Sequence, residues 1–144
     1  NLLYHAIFST KMRKPLITPK IRDELYGYMG GIVKGEGGIP LQIGGMPDHV
    51  HLVLKLKPVH SVSEIMKKAK GNSSKWINKN NRLATRFEWQ EGYAAFSVSE
   101  SQLPAVIKYV NEQEKHHKKL SFKEELIRIL QRHQIEYDEQ YLWS

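Results

Sequence analysis

The 144-residue chain contains no cysteine. A disulfide scaffold, a thiolate zinc site and a cysteine nucleophile are therefore all excluded, and the chain suits a reducing compartment such as the cytoplasm. No apolar run approaches the ~18 residues of a membrane span. No basic stretch leads into a short apolar one at the start, so neither a membrane anchor nor a secretory leader is expected. Acidic residues are fewer than basic ones, 15 against 22, for a net charge of +7. That excess favours a polyanionic partner, because each neutralised phosphate releases counterions. Five glycines fall between residues 30 and 38, yet no strand leads into them and no Lys-Ser or Lys-Thr follows. They form no phosphate loop and are expected to be a flexible helix-to-strand connection. The chain opens at Asn1, without Met and already inside a strand pattern, as though a few residues precede it. No repeat, linker or low-complexity segment divides residues 1–144, which read as a single domain.

Local patterns supply the elements. "LLYHAIFST" (2–10) reads as a strand, followed by the basic loop "KMRKP". Thr18 and Pro19 suit an N-cap and first helical position, and Ile21, Leu25, Tyr28, Met29 and Ile32 recur at helical spacing to about Lys34. Residues 39–44 and 49–56 read as a hairpin around the turn "GMPD". Ser61 with Glu64 makes a capping box that opens a helix to about residue 80. "GYAAFSVSE" (92–100) is a fourth strand, and a helix is expected from Ser101 to about Lys119. Ser121 with Glu124 caps a last helix to about His133, before a tail carrying Tyr137, Tyr141 and Trp143. The order β-α-β-β-α-β-α-α begins as a ferredoxin-like α+β fold, an antiparallel four-stranded sheet with two helices on one face. The other face is left to carry a site.

On 49–56 the residues alternate. Val50, Leu52, Leu54 and Leu56 point one way, and His49, His51, Val53 and Lys55 the other. Two imidazoles roughly 7 Å apart on one strand face suit a shared metal ion, or are plain polar residues of a solvated sheet. Some 60 residues later "IKYVNEQEKHH" sets Tyr109 and Gln113 four apart, on one helix face. Two imidazole nitrogens and an amide oxygen form a mixed, moderately hard site for a divalent ion, Mg2+ or Mn2+ above all. Such an ion would polarise a phosphodiester and align its leaving oxygen, with Tyr109 placed to attack phosphorus. A phenol with its ordinary pKa of about 10 is only about a thousandth ionised at neutral pH, so the site must assist its deprotonation. A phosphotyrosine intermediate conserves the cleaved bond, and religation then needs no nucleotide cofactor.

"PDHVHLVLKL" is an HUH motif, and "YVNEQ" resembles the nucleophile helix of the single-tyrosine HUH transposases of small bacterial insertion sequences. "HAIFSTKMRKPLI", "WQEGYAAFSVS" and "EYDEQYLW" extend the resemblance over nearly the whole chain. It also touches the REP-associated tyrosine transposases, where Asn-Pro more often follows the tyrosine. By matching position the resemblance implies His49, His51 and Gln113 as metal ligands and Tyr109 as nucleophile. It further implies a homodimer that recognises hairpins on single-stranded DNA at the element's ends. Cleavage would leave a 5′-phosphotyrosine and a free 3′-OH before the strands are rejoined.

Lys67, Lys68, Lys70 and Lys75 on the helix after Ser61, with Lys11, Arg13 and Lys14 in the first loop, are candidates for phosphate contacts. Trp76, Trp89 and Tyr93 are candidates to stack on unpaired bases, Trp76 with a rival place in the core. Two other readings share parts of this pattern. One is a non-catalytic RNA- or single-stranded-DNA-binding module of ferredoxin-like fold, the other an HUH replication-initiation nickase. Stacking rings rather than histidines would be expected on the open face of the first. The short chain disfavours the second.

Overall fold

The computed structural model describes residues 2–113 and 121–132. Four antiparallel strands, β1 (Leu2–Ser9), β2 (Ile39–Met46), β3 (His49–Leu56) and β4 (Ala94–Val98), form one sheet in the order β2-β3-β1-β4. Helix α1 (Pro19–Gly35) connects β1 to β2, and α2 (Val62–Lys79) connects β3 to β4. This is the expected split βαβ arrangement. Helices α3 (Leu103–Asn111) and α4 (Phe122–Arg132) follow. Among the described residues no helix is long and apolar enough to cross a membrane.

The two sequence periods decide which side chains are buried on which face. Tyr4, Ala6 and Phe8 of β1 share a face with Val50, Leu52, Leu54 and Leu56 of β3. Onto it pack Ile21, Leu25, Met29 and Val33 of α1, at helical spacing, and Ile65, Met66 and Ile77 of α2. Ser61 caps α2 by accepting from the Glu64 amide at 3.4 Å. Pro19 opens α1, although the Thr18 side chain makes no capping bond.

Three expectations shift. The glycines of 30–38 do not form a flexible connection, because α1 runs through Gly30 and Gly31 to Gly35. A tight turn then closes it, with Gly37 at φ 87° donating to Lys34 and Gly38 donating to Val33. Strand β2 extends two residues beyond Gly44, so that Met46 pairs with His49 and the turn shortens to Pro47-Asp48. Helix α3 starts two residues later than Ser101, with Pro104 in its first turn. His116, His117 and the tail from His133 onward lie outside the described residues.

The second sheet face is covered too. Ile7 of β1 and Phe96 of β4 pack against Phe122, Leu126, Ile129 and Leu130, the apolar stripe of α4. Helix α3 lies over β2 and β3. The histidine face of β3 is thus roofed by α3 and α4.

Candidate metal centre and tyrosine

His49 and His51 sit at the start of β3, and both are 0% exposed. Their rings are 5.1 Å apart, centroid to centroid, and nearly perpendicular at 66°. Each turns its Nε2 toward one atom: Glu125 Oε1 lies 3.2 Å from both. Their Nδ1 atoms face away, to Asp48 Oδ1 at 2.8 Å from His49 and to His5 Nε2 at 2.8 Å from His51. Phe122 of α4 stacks on the His49 ring at 4.3 Å.

Helix α3 adds the tyrosine. The Tyr109 hydroxyl donates to Glu125 Oε2, and its ring lies 5.9 Å from that of His51 in the same chain. Gln113, buried just past the end of α3, has its Oε1 3.1 Å from His49 Nε2 and donates through Nε2 to Glu125 Oε2 at 3.1 Å. The four residues expected from the sequence, His49, His51, Tyr109 and Gln113, are therefore together. Burial alone would lower the His49 pKa, but hydrogen bonds to the Asp48 and Glu125 carboxylates outweigh it and push His49 up to about 9.

The sequence reading missed Glu125 and His5. Glu125 stands inside the apolar stripe of α4, three residues after Phe122 and four before Ile129. A carboxylate in such a stripe is a sign of a buried partner. His5 alternates with Leu3 and Ile7 on the site side of β1. Asp48 does more than close the turn, since its carboxylate is hydrogen-bonded to His49 Nδ1.

Two nitrogens and a carboxylate oxygen, one each from His49, His51 and Glu125, lie within 4.8 Å of one another. Donors about 2.1 Å from a common ion are about 3–4 Å apart, so a small shift would close this set on one divalent cation. The donors are nitrogen and oxygen without sulfur, which suits Mg2+, Mn2+ or zinc-like ions.

The basic candidates divide. Lys11, Arg13, Lys14, Lys67, Lys68 and Lys75 are exposed, with Lys11 paired to Glu88 at 3.4 Å and Lys68 paired to Glu36. Lys70 is half-buried and donates to the carbonyls of Gln90, at 2.7 Å, and Gly92. Burial pushes its ammonium down to about 8, against the opposing charge of Glu91. Trp89 is buried between Phe8 and Phe87, and Trp76 stacks on Tyr28 at 4.9 Å, which leaves Tyr93 as the exposed ring of the three.

The chain is similar to known proteins in both sequence and fold. Residues 1–113 match the family described as "Transposase IS200 like". The ISDra2 transposase TnpA of Deinococcus radiodurans is 27% identical over 118 residues, 78% of this chain and 84% of that protein. A crystal structure described as a transposase of Deinococcus radiodurans R1 superposes with a TM-score of 0.63 at 27% identity, covering 78% of this chain and 90% of that one. The fold also matches a REP-associated tyrosine transposase solved with a REP hairpin, with a TM-score of 0.58 at 12% identity, over 76% of this chain and 64% of that one. With the family match spanning the fold up to Gln113, this chain belongs to the IS200-like transposases.

Proposed function

We propose that the protein cuts and rejoins single-stranded DNA at hairpin-marked element ends, through a 5′-phosphotyrosine on Tyr109 and with a divalent ion, Mg2+ or Mn2+. His49, His51 and Glu125 would hold the ion, with Gln113 beside them. One observation carries the reading: the Tyr109 hydroxyl, both histidine Nε2 atoms and the Gln113 amide all converge on the Glu125 carboxylate. A phenol in that company is more than a packed ring.

When bound, the ion supplies Lewis-acid polarisation of the scissile phosphodiester. Tyr109 Oη forms the bond to phosphorus as the P–O3′ bond breaks, and the departing oxygen takes up a proton as a free 3′-OH. Glu125 Oε2 already accepts from the Tyr109 hydroxyl and is the group at hand to receive the phenolic proton. Gln113 donates to the same Oε2 at 3.1 Å and limits the swing of the Glu125 carboxylate. Because the phosphotyrosine retains the energy of the cleaved bond, an incoming 3′-OH reverses the step without a nucleotide.

Exchange of two ends uses two tyrosines, which favours a homodimer. Tyr109 lies against the His51 of its own chain. The exposed Lys11, Arg13, Lys14, Lys67, Lys68 and Lys75 suit a hairpin stem, and the hairpin ligand of the REP-associated relative supports that choice. The sheet face on which an RNA-binding module would stack bases is roofed by α3 and α4.

The test compares the protein with Tyr109→Phe on labelled single-stranded oligonucleotides from DNA flanking its gene. Reactions run with Mn2+, with Mg2+ and with chelator, before denaturing electrophoresis. A metal-dependent protein–DNA adduct that disappears in the variant is expected. Binding without an adduct under any metal would refute the proposal.

A further inference from the structure

We infer that His5 is a positioning residue that sets the tautomer of His51 and so makes its Nε2 lone pair available to the ion. This rests on the metal reading above. His5 lies on β1 opposite Val53, diagonally across from His51, and both rings are buried. Nε2 of His5 is 2.8 Å from Nδ1 of His51, with the ring planes only 27° apart. That is a hydrogen bond between two imidazoles, in which one nitrogen must donate and the other accept.

A neutral imidazole has one N–H and one lone pair. To offer Nε2 to a cation, His51 must carry its proton on Nδ1, and a buried N–H requires an acceptor. The His5 Nε2 lone pair is that acceptor. His51 Nε2 already faces Glu125 Oε1 at 3.2 Å, within the set of donors that would hold the ion. A neutral His5 offers its Nε2 lone pair when it carries its own proton on Nδ1.

The partner of His49 works differently. Asp48 only accepts, which holds the His49 proton on Nδ1 and turns Nε2 inward. The two ligands are therefore steered from opposite sides, one by a turn carboxylate and one by a strand histidine.

The experiment titrates Co2+ alone into wild type, His5→Leu and His5→Gln, read by the visible absorption of the bound ion, with thermal melting of each. Glutamine keeps both an acceptor and a donor, and leucine neither. His5→Leu is expected to bind Co2+ about 10–100-fold more weakly, and His5→Gln to recover most of that loss. In 15N-labelled wild type loaded with Zn2+, a coupling between His51 Nδ1 and His5 Nε2 is expected across the hydrogen bond. Should His5→Leu fail to fold, the glutamine variant and the coupling decide the matter. Equal Co2+ affinity in wild type and His5→Leu, a folded His5→Gln with no recovery, or absence of the coupling overturns the role of His5. A wild type that binds no Co2+ sinks the metal reading itself, and this inference with it.

Discussion

Gly44→Ala tests whether the approach of α3 to the sheet sets the tyrosine. Gly44 pairs with His51 across the β2–β3 ladder, on the side that α3 covers. A Cβ there would lie 2.3 Å from the Val110 carbonyl oxygen and 3.1 Å from Val110 Cγ1. Ordinary contact begins at 3.4 Å, so the end of α3 must withdraw by about 1 Å. The sheet cannot yield instead, since β2 is hydrogen-bonded along β3 through Met46. Tyr109 precedes Val110 by one residue and Gln113 follows it by three, so both move with the backbone. Overpacking of this kind costs about 1–3 kcal/mol, or a fall in Tm on the order of 4–12 °C for a domain of this size. A misplacement of about 1 Å at the reacting atom costs on the order of 100-fold in rate. The assay is the rate of adduct formation with Mn2+, beside melting by circular dichroism. Gly31→Ala is the control: Gly31 is an exposed glycine inside α1 with open space at its Cβ, where alanine is expected to stabilise by about 0.4–1 kcal/mol. A Gly44→Ala protein that melts and reacts like wild type would show that α3 does not depend on this contact.

Glu125→Gln keeps the shape of the side chain but removes its charge, and Mn2+ binding followed by calorimetry should weaken at least roughly tenfold. Unchanged affinity would remove Glu125 from the ligand set. Trp89→Phe deletes the buried bond from its indole N–H to Ser73 Oγ at 3.0 Å, and should lower stability by about 1–2 kcal/mol in a denaturant titration without altering DNA binding. The lysines of α2 should separate by role. Lys67→Ala is expected to weaken DNA binding and to flatten its salt dependence by about one unit of slope. Lys70→Ala should instead lower Tm, because its ammonium ties α2 to the carbonyls of Gln90 and Gly92. The reverse pattern would mean that Lys70 is the phosphate contact.

The alternation over 49–56 specified which residues face the core, and Val50, Leu52, Leu54 and Leu56 do pack under α1 and α2. It placed His49 and His51 side by side on the other face, because a strand's period of two is a local property of the chain. Thr18-Pro19 and the Ser61 and Ser121 caps marked helix starts within a residue or so, the two serines through bonds to amides three positions on and Pro19 through its fixed φ. Tyr109 and Gln113 were legible as a pair for the same reason, four residues apart, although α3 ends at Asn111 and Gln113 lies just past it. The family resemblance then joined pairs that spacing alone leaves unconnected.

Other features depend on distance along the chain that no local pattern carries. His51 and Glu125 are 74 residues apart, and His5 and His51 are 46 apart. The stripe on α4 announced a buried face without saying that it would roof the histidines, so the sheet face expected to lie open is closed. Gly44 looked like the end of a strand until the α3 backbone came down on it. Periodicity tells each element which side to bury. Only the packing of α3 and α4 onto the sheet decides which buried polar groups meet, because hydrogen-bond partners are selected by proximity in space rather than by order in sequence.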